Sequence, residues 1–182
     1  MKSAVLTNYF QRLDQQRTLF FNSETIDFSR VFIRPFPNKW SVGETLYHLV
    51  LMIKFFRRFS QFYIPVTTPV ARLRRKKPFK TEIHDIYREH TEKQKGPMDA
   101  PKIIVPPPGL AEKYNFEEIK EILVMETVKL RMDVNHIEQD IAGHICYPDP
   151  IAYYPNLLQS VQLLAIHEQH HFNLVRKYES MF

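Results

Sequence analysis

Near the C-terminus the chain reads HEQHH, residues 167–171, inside LLAIHEQHHFNLV. Two histidines four apart on a helix project from the same face one turn apart, which suits two imidazoles reaching one metal ion. His167 and His171 meet that spacing, and so does the i, i+3 pair His167 and His170, so spacing alone leaves the second ligand open. Read literally the stretch is also H-E-x-x-H, the helix motif of zinc proteases.

The residues downstream of His171 weigh against a protease. The longer form of that motif wants glycine and histidine at positions occupied here by Leu174 and Lys177. Glu179 lies too near the chain end to sit on a separate helix. No alternating strand is evident against which a peptide substrate would pair. The third ligand therefore has to come from upstream, and His48, set in an otherwise apolar helical stripe, is the best candidate. Glu168 lies about 100° around the helix from His167 and is expected to face away from the metal.

Four helices are expected to position these residues. The first runs from about Ser3 to Phe21, with Val5, Leu6, Tyr9, Leu13 and Phe20 at helical spacing. The second opens at Ser41, with Glu44 completing a capping box, and carries Val42, Leu46, Leu49, Ile53 and Phe56 until Pro65 and Pro69 stop it. A third starts near Asn115, with Glu118 as reciprocal cap, and runs toward Asp140. The fourth spans about Asn156 to Glu179. Between the second and third lies a long, proline-rich crossover with short patterned pieces such as TEIHDIYREH, too poor in apolar residues for a core of its own. The fold class is all-α in one domain over 1–182.

Composition is that of a globular chain: 182 residues, 44% apolar and 25% charged. One cysteine, Cys146, excludes an internal disulfide, and no N-terminal signal is visible, so a reducing, cytoplasmic setting is expected. The most apolar stretch, LYHLVLMIKFFRRF, is broken by His48, Lys54, Arg57 and Arg58, so no membrane span and no membrane partner are expected. The net charge of +5 is concentrated between Thr45 and Thr81, where nine Lys or Arg occur without an acid. Its densest part, residues 71–80, could attract nucleic acid, an anionic lipid surface or an acidic small substrate; a solvated basic loop is the simpler reading. Nucleic acid is not expected, since no aromatic interleaving or known module accompanies the charge.

The order W-S-x-x-E-x-x-x-H-L, present as WSVGETLYHL from Trp40 to Leu49, followed by HEQHH on the last helix, resembles the DinB-like superfamily, which includes the YfiT-like metal-dependent hydrolases. The resemblance implies an up-and-down four-helix bundle with a long crossover after the second helix. It implies one divalent metal, zinc or nickel, held by His48, His167 and His171, with His170 a neighbour. It implies a hydrolase or a thiol-dependent transferase acting on a small molecule, anionic or a thiol, and a homodimer is compatible with it. Family last helices often continue H-H-x-G-Q, whereas Phe172, Asn173 and Leu174 stand here.

Three protein ligands leave a coordination position for water or substrate. Glu44, one turn before His48, is a weak candidate for orienting it or acting as base; its simpler role is the cap with Ser41. His144 and Cys146 form a weak H-x-C motif, and His84, His90 and His136 have no companions at ligand spacing.

Overall fold

The structure, a computed structural model, describes residues 1–83 and 100–181. Four long helices dominate it: α1 (Ala4–Phe21), α2 (Val42–Arg74), α4 (Phe116–Val134) and α6 (Leu157–Glu179). Two single-turn helices, α3 (Leu110–Lys113) and α5 (Gln139–Ala142), and two 3₁₀ turns, Phe28–Arg30 and Lys102–Ile104, fill the connections. No strand occurs among the described residues; one antiparallel bridge joins Cys146 to Asn156. The fold is all-α. The patterned piece TEIHDIYREH, with His84 and His90, falls outside the described residues except for its first three positions.

The expected caps form. The Ser41 hydroxyl accepts from the Glu44 N–H while the Glu44 carboxylate accepts from the Ser41 N–H, and Asn115 and Glu118 repeat the exchange at α4. Asn156 and Gln159 do the same at α6, which satisfies orphan donors where the helix enters the interior. Gly43 lets the first turn of α2 dock on the preceding loop: its N–H donates to the Val31 carbonyl at 2.7 Å, and a Cβ there would stand 2.6 Å from the Phe32 ring.

Two boundaries differ from expectation. Pro65 and Pro69 do not stop α2, which continues to Arg74. They lie four apart on the exposed side, so the two backbone bonds they forfeit are lost where water can serve the freed carbonyls. The Thr67 and Thr68 hydroxyls bond back to the carbonyls of Tyr63 and Ile64 in the same turn. Conversely, α4 does not reach Asp140 but ends at Val134. The next carbonyl, on Asn135, accepts from the Lys2 N–H at 2.9 Å, and the chain re-enters a helix only at Gln139.

α2 packs mainly against α4, and α1 against α6. One cluster of buried apolar side chains draws on all four long helices, including Leu13, Phe20, Leu46, Ile53, Leu123, Leu130, Val161 and Phe172. Phe20 and Phe172 stack with centroids 3.9 Å apart, fixing α1 on α6. Arg57 of α2 meets Glu126 of α4 at 2.9 Å, and Lys129 reaches the same carboxylate at 3.0 Å. The basic stretch is partly helix and partly clasped: Arg75 pairs with Glu138 and Asp140, and Phe79 packs edge-on against His144.

Candidate metal centre

α2 and α6 bring His48, His167 and His171 together, although the sequence separates the first from the others by more than a hundred residues. One ring nitrogen from each lies within 4.8 Å of the rest, and among the described residues this is the group of His, Cys, Asp or Glu able to hold a metal ion. His48 Nε2 is 3.2 Å from His167 Nε2, and His171 Nε2 is 3.0 Å from the same atom. His48 and His167 are buried, and His171 is half-buried.

The tautomer of His48 is set by its second nitrogen. Nδ1 stands 2.7 Å from the carbonyl oxygen of Ile104, which can only accept, so Nδ1 carries the proton and Nε2 presents a lone pair. That carbonyl belongs to the 3₁₀ turn Lys102–Ile104 in the crossover, which thereby acts as the orienting partner that metal-bound histidines commonly have. Sequence reasoning missed it: a backbone acceptor leaves no mark in residue type, and the only hint was a pair of isoleucines in a proline-rich stretch. Trp40 was legible in the motif, but its packing was not. Its ring lies 4.8 Å from that of His48 and stacks on His171 at 6.2 Å, covering the pair.

Burial pushes the basicity of all three rings down. For His167, repulsion by His171, His48 and His170 adds to the effect, and for His171 repulsion by His48 and His170 does, so both fall well below the ordinary imidazole value. For His48 burial also dominates, opposed by the bond to Ile104. Neutral imidazole is the form that coordinates metal.

The donor chemistry suits a divalent ion. Two nitrogens each about 2.1 Å from one ion stand about 3.0–3.4 Å apart for angles between a right angle and tetrahedral; the two separations from His167 Nε2 are 3.0 and 3.2 Å, and the three nitrogens together lie within 4.8 Å, so His48 and His171 close in on an ion held between them. One proton on His167 Nε2 cannot point at both neighbours; a cation between them can satisfy every lone pair.

The remaining candidates lie elsewhere. His170 neighbours His171, with ring centroids 5.5 Å apart, and is not in the convergent group. Glu44 is engaged at the helix start by the Ser41 N–H and by the Arg34 guanidinium, whose Nε lies 2.8 Å from Oε2. Burial would raise its pKa, but the bonds to Arg34 and Ser41 outweigh it and the carboxyl titrates below its usual value. Glu168 is buried on another face of α6, accepting from Arg17 Nη2 at 2.6 Å and Gln16 Nε2 at 2.9 Å. His144 contacts the Lys77 carbonyl at 3.1 Å, Cys146 is exposed, and His136 lines a groove between α2 and α4.

The chain is an all-α scaffold whose second and last long helices bring together three imidazoles able to hold a metal ion. A family model described as the DinB superfamily matches residues 12–175. The chain belongs to the DinB superfamily. Neither curated proteins nor solved structures give a significant match.

Proposed function

We propose that His48, His167 and His171 hold one divalent metal ion, zinc or nickel, and that the protein is a metal-dependent hydrolase or thiol-dependent transferase acting on a small molecule. The observation that carries this is the convergence of three ring nitrogens with the proton of His48 fixed on its far side by Ile104. A metal held there would supply Lewis acidity, the property that activates water or a thiol near neutral pH. His48, His167 and His171 contribute three neutral donors, and no fourth His, Cys, Asp or Glu joins them among the described residues, the donor count of a site that accepts substrate. Trp40 shields the His48 and His171 rings from water on one side. The reading extends to architecture and setting: one domain over 1–182, an up-and-down four-helix bundle with a long crossover, in the cytoplasm. No helix among the described residues is long and apolar enough to cross a membrane.

The test is elemental analysis of protein purified without a histidine tag or chelator, beside a His48→Ala variant. The expected result is near one zinc or nickel per wild-type chain and none in the variant, and then turnover in a screen of hydrolase and thiol-transfer substrates. Metal absent from the wild type even after reconstitution with both ions would overturn the site. Stoichiometric metal with no exchangeable ligand position, read by nickel or cobalt absorption upon adding thiol, would favour a structural metal in a non-catalytic module.

A further inference from the structure

α2 buries more of its first half than of its second, which contributes only Ser60, Ile64 and Ala71 to the interior. Its first half is sheathed, with Leu46, His48, Leu49 and Ile53 in the interior. Two turns beyond His48 along the same face comes Phe55, and from there Phe55, Phe62, Val66, Val70 and Leu73 recur at helical intervals as an exposed stripe, interrupted only at Phe59, which rests on Tyr63 and Tyr147. Phe62 is 75% exposed and Leu73 86%, so these side chains stand out rather than rest on neighbours. At 1.5 Å per residue the stripe runs about 27 Å.

On α2 itself its borders are all of one sign, with Asp133 of α4 across the cavity that Arg72 lines. Arg58 and Arg72 line one edge and Arg74 the other, all exposed, Lys76 follows in the turn after the helix, and the chain has no Asp or Glu between Thr45 and Thr81. Arg57 and Arg75 turn away, toward Glu126 and toward Glu138 and Asp140. A second copy of α2 laid on the stripe, parallel or antiparallel, would set these cations against one another, and like charges juxtaposed at an interface disfavour it. A helical protein ligand would need an apolar groove. The stripe is a convex ridge and not a groove, and the cavity of about 450 Å³ beside it, lined by Ile64, Pro65 and Pro69 as well as Gln61, Arg72 and Asp133, lies between α2 and α4.

We infer that this ridge is a peripheral contact for an anionic lipid surface. A convex helix face bearing Phe and Leu between Arg58 and Arg72 on one side and Arg74 on the other matches the interfacial helix that lies in the membrane plane, apolar side chains at the acyl boundary and cations at the phosphates. The lack of a spanning segment, on which the expectation of no membrane partner rests, does not bear on such a contact. The cytoplasmic leaflet carries the required negative charge. Metal binding plays no part in the contact, so the two readings fail independently.

The experiment is co-sedimentation of the full chain with vesicles of phosphatidylcholine alone and of phosphatidylcholine containing phosphatidylserine, with a vesicle-free control for aggregation. Binding is expected only to the phosphatidylserine vesicles and is expected to weaken as salt is raised. Phe62→Ser with Leu73→Ser should lower the partition at least tenfold. Arg72→Ala with Arg74→Ala should lower it about fivefold per charge. These exposed positions leave the core untouched, and unchanged thermal melting checks this. No sedimentation with either vesicle, equal sedimentation with both, or binding indifferent to the Phe62 and Leu73 changes would overturn the proposal. So would a dimer in light scattering that the same two changes abolish, which would assign the stripe to a second copy.

Discussion

His167 and Glu168 are neighbours on α6, both buried, and their surroundings answer them in opposite ways. Glu168 turns toward α1, where Arg17 Nε and Nη2 meet both carboxylate oxygens, Gln16 adds a bond, and Arg17 Nη1 passes on to the Thr127 hydroxyl at 2.8 Å. That circuit is closed: every charge has its counter-charge inside the fold. His167 turns toward α2 and meets two further neutral imidazoles, a set of lone pairs with no positive charge among them. The difference separates structure from chemistry within two residues. A balanced buried pair has nothing left to bind, whereas converging neutral donors can take a cation from outside.

Breaking the closed side should have the largest effect. Arg17→Met leaves the Glu168 carboxylate buried with only Gln16 for company, and unfolding in urea is expected to show a loss of about 3–5 kcal/mol, typical of a buried pair stripped of one partner. Adding Glu168→Leu should restore much of it. Metal content per folded chain should stay that of the wild type in both, and a loss of metal in the double variant would mean that the two faces are coupled.

The open side is sharpened by comparing two adjacent histidines. His171→Ala is expected to weaken zinc affinity by more than the 10–100-fold typical of losing an outer partner, whereas His170→Ala should change it only a few fold. Competition with a chromogenic chelator measures both. The reverse order would move the ligand role to His170 and require α6 to rotate from its present setting.

Between helices α2 and α4 sits a second balanced group, nearer the surface. Burial would raise the Glu126 pKa, but bonds to Lys129 and Arg57 prevail and hold it below its usual value. A carboxyl lowered in the folded state contributes stability that is present above its unfolded pKa, about 4.3, and is lost as pH falls through the folded value. Glu126→Gln should therefore destabilise by about 1–2 kcal/mol at neutral pH, with the gap to wild type narrowing as pH falls below about 4.3. A gap independent of pH in urea titrations would show that the carboxylate's charge contributes nothing.

The same contrast explains how much could be read from sequence. His167 and His171 were legible as a candidate pair because ligand spacing on a helix is local, whereas His48, 119 positions from His167, was legible only from its place in an apolar stripe and from the motif around it; Ser41 with Glu44 and Asn115 with Glu118 were legible because a capping box spans four residues. Glu168 was expected to face away from the metal, and it does, but its partner Arg17 lies 151 positions distant and no local rule points to it. The Ile104 carbonyl is likewise a product of tertiary placement. Pro65 and Pro69 misled for a related reason: their effect depends on which side of α2 they occupy, and that is decided by what the helix packs against. The fold class was readable from periodicity, while the ends of α2 and α4 depended on distant contacts.

The smallest effect is expected at Glu44, where the two kinds of role meet in one residue. Its carboxylate caps α2 through the Ser41 N–H and pairs with Arg34, whose side chain is 49% exposed. The acceptor on His48 Nδ1 is the Ile104 carbonyl, so orienting that ring does not depend on Glu44. Glu44→Gln keeps an oxygen for the cap and loses only a solvent-screened pairing, worth about 0.2–1 kcal/mol. Metal content should not change, and activity on any substrate found should fall by less than threefold or so, far short of the 10²–10⁴ lost with a general base. A loss on that larger scale, at unchanged melting temperature and metal content, would place Glu44 on the chemical side of the comparison, as a carboxylate that leaves Arg34 to take a proton when substrate arrives.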